Sequence, residues 1–188
     1  MKDAKPSLSR ASVVRLMACQ ALCMYNDELS DCKNLNEILE SINEYYVKDY
    51  LGKENPTKND YKSLYKTEFI RNMLSSVVDQ IKEIDDILEK ETRNFNNTIE
   101  NLLDTTRECF RLAIYEFQNF PELASEIIIN EYVDIVAEFT NDANETRFAN
   151  RVLENLAVKL RNKEEKNIEK VEDKGKKGRK IISLHKTE

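Results

Sequence analysis

The sequence predicts an all-α protein, and two features of its 188 residues lead to that prediction. The chain holds only three glycines, three prolines and no tryptophan, so it lacks the turn residues that a many-stranded sheet needs. Apolar residues recur at intervals of three and four along most of the chain, the spacing at which they share one face of a helix. We therefore expect a compact bundle of about seven helices, in a chain long enough to bury a hydrophobic core.

The first helix is predicted to begin near Ser9, whose hydroxyl can cap it, and to end near Tyr25. It is apolar nearly all round between residues 16 and 25, so it should lie in the middle of a bundle. Residues 34–37, Asn-Leu-Asn-Glu, form a capping box that opens the second helix. That helix should end at residues 51–52, Leu-Gly, and its apolar face carries Leu35, Ile38, Leu39, Ile42, Tyr46 and Tyr50.

A long third helix is predicted from Asn59 or Asp60 to about Leu88. It carries one apolar stripe at alternating intervals of three and four, which indicates a face in the core. The stripe consists of Ile70, Met73, Leu74, Val77, Ile81, Ile84 and Leu88. Residues 91–97 are polar, and a further helix is predicted from Thr98. The sequence leaves open whether this helix breaks before Phe110.

The remaining helices follow from proline and from polar turns. The helix that carries Phe110 should stop at residues 119–121, because Pro121 disfavours helical geometry in the residue before it. Pro121 can then open the next helix, which is apolar around more than half its girth, Phe139 included, and should be buried. After the polar turn at residues 140–144, the last helix runs to Leu160 along a single apolar stripe. Its candidate caps are Asn141, Asp142 and Asn144.

The net charge of −6 is unevenly distributed. The first 26 residues contain one acid, Asp3, and the basic residues Lys2, Lys5, Arg10 and Arg15. The part of the chain after Leu160 has ten Lys or Arg against six Asp or Glu. A basic end can therefore meet phosphate while the acidic body meets a basic partner. The alternative interpretation is that these charges are solvated faces that keep a helical protein soluble.

We divide the chain into a flexible basic arm, residues 1–8, a helical domain, residues 9–161, and a basic tail, residues 162–188. Apolar spacing stops near Asn162 and residues 174–180 are a basic run, so we expect the tail to be disordered. The tail is either an accessory arm attracted to RNA phosphate or a solubilising extension. Residues 181–184, Ile-Ile-Ser-Leu, could add a short docking segment.

Composition and motifs also exclude classes of protein. No apolar run is long enough for a membrane span and no signal-peptide core follows the first residues, so we expect a cytoplasmic protein. The lone histidine, His185, lies in the tail and no phosphate-binding glycine loop occurs. We therefore predict a non-enzymatic binding protein without a cofactor. The four cysteines are expected to be thiols, and we do not expect Cys19 and Cys23 to bind a metal.

Two sets of residues resemble the NusB family of bacterial transcription antitermination factors. Residues 15–23, RLMACQALC, are similar to the family's A-R-x-x-A-x-Q-A-L-Y, with Cys23 in place of the tyrosine. Residues 111–117, RLAIYEF, are similar to a family helix that continues through a proline and two further motifs. These later matches are Pro121, Ile128–Tyr132 and Phe148–Leu153. The resemblance extends over most of residues 9–160.

The resemblance implies two helical subbundles that share the first helix, and a protein that pairs with the small-subunit ribosomal protein NusE. Together they would hold the boxA element of nascent ribosomal RNA leaders and help RNA polymerase pass termination signals. Gln20 and Cys23 become candidate partner-binding residues. The candidate RNA-binding residues are Lys2, Lys5, Arg10, Arg15, Asn144 and Arg147.

Other interpretations remain open at the level of sequence. Arg15 could pair with an acidic helix instead of RNA, and Asn144 and Arg147 could belong to an ordinary capped turn. Phe148 could offer a ring to an RNA base, although a residue of an apolar stripe is more often core. The chain could also be a protein-only helical scaffold, or a stand-alone relative of the RNA-binding domain of ribosomal RNA cytosine methyltransferases. We also consider a homodimer.

Overall fold

The computed structural model describes residues 10–27, 34–51 and 67–161, and within these ranges it contains seven α-helices and no strand. Two 3-10 turns, Arg93–Phe95 and Ile99–Asn101, connect the fourth and fifth helices. The helices are α1 (Arg10–Asn26), α2 (Leu35–Leu51), α3 (Thr67–Asp79), α4 (Ile81–Thr92), α5 (Asp104–Asn119), α6 (Ser125–Thr140) and α7 (143–161). The predicted all-α bundle of about seven helices is confirmed. The predicted arm, the predicted tail, Ser9 and the start near Asn59 lie outside the described residues.

Helix α1 lies between two groups of helices. It packs on α2 and α3 on one side and on α5 and α6 on the other. Residues on opposite sides of α1 are consequently buried, and five of them are at most 1% exposed: Met17, Ala18, Cys19, Ala21 and Leu22. The expected arrangement of two subbundles that share the first helix is confirmed.

The capping box that opens α2 is present in a variant form. The side-chain Oδ1 of Asn34 accepts a hydrogen bond from the backbone N–H of Asn36 at 3.0 Å. Its side-chain amide donates to the carboxylate of Glu37, also at 3.0 Å. The two side chains thereby fix the first turn of α2, which ends at Leu51 as predicted.

The predicted long third helix is interrupted at Gln80, between α3 and α4. Gln80 has φ −103° and ψ 11° and leaves helical geometry. Its N–H still donates to Ser76 O, and its carbonyl still accepts from Ile84 N–H. The break is therefore shallow, and since neither proline nor glycine marks it, the sequence carries no signal for it. Six residues of the predicted apolar stripe are buried, Ile70, Met73, Leu74, Val77, Ile84 and Leu88, and Ile81, next to the break, is only half-buried.

The prediction that a helix starts at Thr98 is wrong. Only the 3-10 turn Ile99–Asn101 forms there, and the chain is extended at Leu102 before α5 begins at Asp104. The turn is fixed by Glu89, whose Oε2 accepts the backbone N–H of Ile99 at 3.0 Å. A side chain ten residues earlier thus replaces the helical hydrogen bond that the local sequence would otherwise make.

Helix α5 stops where the sequence predicts, but Pro121 does not open the next helix. The Phe120 N–H donates to Glu116 O and closes α5, and the Leu123 N–H then donates to Phe120 O across a turn that contains Pro121. Helix α6 begins only at Ser125. The turn uses the fixed φ of proline, which suits a turn as well as a helix start.

Burial in α7 agrees with its predicted stripe, whereas three residues of the predicted apolar surface of α6, Ile129, Val133 and Ala137, are only half-buried. Helix α6 buries Ile128, Tyr132, Ile135 and Val136, but Phe139 is 48% exposed, so its predicted burial is wrong. Of the three candidate caps for α7, Asp142 performs the role, because its Oδ1 accepts the Asn144 N–H at 2.7 Å. The stripe of α7 is buried throughout: Ala149, Val152, Leu153, Leu156, Ala157 and Leu160. Across the described ranges, no helix combines the length and apolar character needed to cross a bilayer.

Candidate protein- and RNA-binding surface

Arg15 lies in an ion-pair cluster between α1, α5 and α6. Its Nε donates to Glu116 Oε1 at 2.9 Å and its second donor reaches Glu116 Oε2 at 2.6 Å. The Tyr132 hydroxyl donates to the same Glu116 carboxylate at 2.6 Å, and Glu131 lies 3.8 Å from the guanidinium. A bidentate pair of this kind fixes both distance and orientation. Arg15 therefore ties the first helix to two helices that lie more than 100 residues later in the chain.

The geometry of this cluster corresponds to the second of the two sequence interpretations of Arg15, a pair with an acidic helix. Arg15 is only 7% exposed, which leaves its guanidinium little surface to offer to a phosphate. Burial by itself lowers the pKa of Arg15, but the hydrogen bond and the charge of Glu116 outweigh it, so the pKa is raised. Burial, followed by the Glu116 charge, raises the pKa of Tyr132 well above its ordinary value.

An open groove of about 310 Å³ lies where α1 meets the start of α5 and the end of α6. Residues 20, 23 and 24 of α1 are spaced to share one helix face, and that face forms one wall. Met24 is 40% exposed and Phe139 48% exposed, so two large apolar side chains border the opening. The lining residues are Cys19, Gln20, Cys23, Met24, Thr105 and Phe139. Both candidate partner-binding residues, Gln20 and Cys23, therefore lie in this groove.

The thiols at the base of the groove are protonated groups rather than reactive ones. Cys19 Sγ lies 3.6 Å from Cys109 Sγ, and this contact, with burial, raises the pKa of Cys19. A hydrogen bond to Cys19, and then burial, raises the pKa of Cys23 far above its ordinary value. Among the residues that the structure describes, no three His, Cys, Asp or Glu side chains are arranged to hold a metal ion.

Carboxylates lie close in sequence to the groove lining. The exposed acids Asp104, Glu138 and Asp142 lie within three residues of the lining residues Thr105 and Phe139. Among the arginines of α5, Arg107 partly neutralises Asp104 by pairing with it, whereas Arg111 pairs with other acids. Arg107 bonds Asp104 and Glu108, and Arg111 bonds Glu108 and Asp85. The groove is therefore apolar inside, and the exposed acids Glu138 and Asp142 adjoin its lining residue Phe139 in sequence.

Asn144 and Arg147 lie at the same end of the bundle as the groove. They occupy the first turn of α7, and this turn is held to the start of α5 by Thr106, whose hydroxyl donates to Glu145 at 2.6 Å. Arg147 donates to Asn144 Oδ1 at 2.6 Å, and both side chains are exposed. The remaining donors of Arg147 are thus available at the surface beside the groove.

The other RNA-binding candidates lie elsewhere. Lys2 and Lys5 lie outside the described residues, and Arg10 opens the backbone of α1 with a side chain that lies outside them as well. Helix α1 runs antiparallel to α5, since Arg15 meets Glu116 while Cys19 meets Thr105. Thirteen helical residues separate Arg10 from Cys23, a distance of about 20 Å. The structure thus brings Gln20 and Cys23 near Asn144 and Arg147, and places Arg10 at the opposite end.

Three groove residues are missing from the sequence-based set. Met24 is four residues after Gln20 and could have been found from helical spacing alone. Thr105 and Phe139 belong to helices far away in the chain, and no local pattern links them to α1. Phe139 even carries a misleading signal, because its place in an apolar helix predicted burial.

An all-α bundle built around its first helix, with an apolar groove beside that helix, defines a helical macromolecule-binding protein. The sequence profile of the NusB family matches residues 12–158. The chain therefore belongs to the NusB family.

Relatives and solved structures are similar over most of this chain. The transcription antitermination protein NusB of Rickettsia bellii is 29% identical over 150 residues, which cover 80% of this chain and 91% of the relative. NusB of Campylobacter jejuni is 31% identical over 118 residues, 63% of this chain and 82% of the relative.

Two solved structures share the fold. NusB of T. maritima superposes with a TM-score of 0.58 at 22% identity, over 81% of this chain and 92% of the T. maritima chain. A crystal structure of the antitermination factors NusB and NusE with double-stranded RNA gives a TM-score of 0.56 at 21% identity, over 80% and 98%. At this level of identity the two structures establish the fold.

Proposed function

We propose that this protein is a transcription antitermination factor. With the ribosomal protein NusE it binds boxA RNA in nascent ribosomal RNA leaders and helps RNA polymerase pass termination signals. The observation that carries the proposal is the match of the NusB family to residues 12–158, which span nearly all the described helices. The relatives bear the name of antitermination protein, and one solved neighbour is a complex of NusB with NusE and RNA. The role is non-catalytic and cytoplasmic.

The groove supports a protein partner of particular chemistry. Ribosomal proteins bind RNA and are basic, so a surface that receives one should be acidic at its rim. The apolar wall formed by Met24 and Phe139 would take the partner's apolar side chains, while Glu138 and Asp142 would meet its cations. An apolar centre inside a charged rim is the usual arrangement of a protein interface. We assign Gln20 and Cys23 to this interface.

RNA contacts are proposed for exposed residues beside the groove and for the basic start of the chain. Arg147 at the start of α7 is exposed beside the groove, and Asn144 adjoins it. Lys2, Lys5 and Arg10 belong to the basic start of the chain and would bind phosphate without choice of sequence. Recognition of bases in single-stranded RNA needs stacking or contacts to base edges. Arg15 supports RNA binding indirectly, by holding α1 against Glu116.

A second candidate function, a protein-only helical scaffold, is favoured by one observation. The arginine of the N-terminal family motif, Arg15, is engaged inside the protein, which leaves the described surface with one phosphate contact fewer. In that case the groove binds its protein partner, and the protein does not bind RNA. The two functions differ in whether RNA affinity rises when the protein partner is present.

The partner site can be tested by calorimetry with purified NusE and two variants. Phe139→Asp places a carboxylate on the apolar wall and should weaken NusE binding at least about tenfold, since an apolar anchor that the complex would bury is lost. Val158→Asp makes the same kind of change at another exposed apolar residue, 61% exposed near the end of α7, and should bind as the unmodified protein does. Equal affinity of the two variants would remove the groove from the interface, and no NusE binding by the unmodified protein would contradict the proposed function.

A further inference from the structure

One segment of the sequence is not used by the function proposed above. Residues 174–180 contain five Lys or Arg and two glycines, and residues 181–184, Ile-Ile-Ser-Leu, follow them. We propose that this basic-apolar segment, residues 174–184, docks in the groove of its own chain and competes there with the protein partner. The competition rests on the proposed function, whereas the docking itself does not.

The chemistry of the segment matches that of the groove. The groove presents apolar surface from Met24 and Phe139, and Ile181, Ile182 and Leu184 are the apolar side chains of the segment. The exposed acids that adjoin Phe139 in sequence, Glu138 and Asp142, would attract the cations of the segment, because residues 174–180 carry only positive charge. A peptide that combines an apolar run with adjacent cations therefore complements both parts of the site.

The place where the tail leaves the bundle allows this contact. Arg161 donates to the carbonyls of Phe120 and Leu123 at 2.8 and 3.0 Å, which fixes the end of α7 at the C-terminal end of α5. The groove lies near the other end of α7, about 27 Å away at 1.5 Å per residue. Nineteen residues lie between Arg161 and Ile181, and a linker of that length with random-coil statistics would span about 25 Å on average. The tether length thus equals the distance to be spanned.

A tether of matched length makes even weak docking effective. Its effective concentration is on the order of millimolar. A segment that binds the groove with a dissociation constant of about 0.1 mM would then occupy it in roughly nine molecules of ten. The partner must displace the segment, so its apparent affinity falls about tenfold. When no partner is present, docking of the segment would also cover the exposed side chains of Met24 and Phe139.

The docking can be observed without any partner, in the full-length protein. In Ile181→Asp/Ile182→Asp/Leu184→Asp the apolar run is replaced, and the 13C-methyl resonance of Met24 should shift relative to the unmodified protein. Met17 and Met73 are buried in the core and their resonances should stay, which provides an internal control. Thr187→Asp, a change outside the segment, should leave all of them unchanged. A synthetic peptide of residues 172–188 added to the triple variant should return the Met24 resonance to its original position.

The competition is measured by calorimetry with NusE, where the triple variant should bind about tenfold more tightly than the unmodified protein. An unchanged Met24 resonance in the triple variant would overturn the docking, and equal NusE affinity of the two proteins would overturn the competition. If Met24 shifts as expected but neither protein binds NusE, the docking stands and the proposed function fails. The two proposals can therefore fail separately.

Discussion

Removal of Arg15 should destabilise the whole bundle. In Arg15→Met the methionine keeps most of the side-chain volume, but the buried Glu116 carboxylate loses both of its guanidinium hydrogen bonds and keeps only the Tyr132 hydroxyl. Leaving one charge of a buried pair without its partner costs about 3–5 kcal/mol. With a urea dependence of about 2 kcal/mol per M for a domain of this size, the unfolding midpoint should fall by about 1.5–2.5 M.

The assay is urea unfolding followed by circular dichroism, with two comparison variants. Arg93→Met removes the guanidinium of an exposed pair with Glu89, 72% exposed at Arg93, and should leave the midpoint within the error of the measurement. Arg15→Met/Glu116→Leu removes both buried charges and should recover part of the lost stability, because the unpaired Glu116 carboxylate is gone. Recovery is incomplete because the buried Tyr132 hydroxyl loses its acceptor. A midpoint for Arg15→Met equal to that of Arg93→Met would refute the assignment of Arg15 as the residue that ties α1 to α5.

This prediction also changes how RNA binding should be tested. Replacing Arg15 by glutamate would place a third carboxylate beside Glu116 and Glu131, so that any loss of RNA affinity would reflect unfolding. Arg10→Glu and Arg147→Glu are the suitable charge reversals, since the contacts that hold Arg15 are made by Glu116, Glu131 and Tyr132. Each should weaken RNA binding and flatten its dependence on salt.

Three further predictions concern stability and pH. The raised pKa of Tyr132 means that its neutral form stabilises the fold below the unfolded pKa of about 10, and this contribution is lost at higher pH. Absorbance at 295 nm should therefore show Tyr132 ionising only as the protein unfolds. Ionisation before unfolding would contradict the burial of Tyr132. Hydrogen bonds from the Ile99 N–H and then from Arg93 lower the pKa of Glu89. The stabilisation of the fold by ionised Glu89 is therefore present above the unfolded pKa and is lost as the pH falls through the folded pKa. The chemical shift of the Ile99 amide should titrate in that range, and this titration should be absent in Glu89→Gln. Phe110→Ala, at a fully buried ring, should cost about 3–5 kcal/mol in urea unfolding, whereas Phe139→Ala should cost far less, and equal losses would contradict the exposure of Phe139.

The helices could be predicted where one apolar stripe continues unbroken. The stripe of α7 is buried at each position that its spacing indicates, and the breadth of the apolar surface of α1 predicted its place between two groups of helices. Boundaries without a local signal could not be predicted. The interruption at Gln80 has no proline or glycine, and Pro121 is equally suited to a turn and to a helix start. Residue type alone did not distinguish those outcomes.

The candidate site was predictable to the extent that it lies on one helix. Gln20 and Cys23 came from the family motif, and they share a helix face with Met24. Thr105 and Phe139 complete the groove only because α5 and α6 pack against α1, which is a property of the tertiary fold. The partner of Arg15 is likewise 101 residues away, so its burial could be stated only as one of two alternatives.

The measurement that bears on antitermination itself is fluorescence anisotropy of a labelled boxA-like RNA at several salt concentrations, with and without NusE. We expect binding that prefers boxA over a scrambled RNA of the same length, tightens when NusE is added, and weakens steadily with salt. Phe139→Asp should lose the effect of NusE while keeping the weaker binding of the free protein. An RNA affinity that is the same for boxA and scrambled RNA and unaffected by NusE would contradict the proposed function and leave a helical scaffold that binds protein alone.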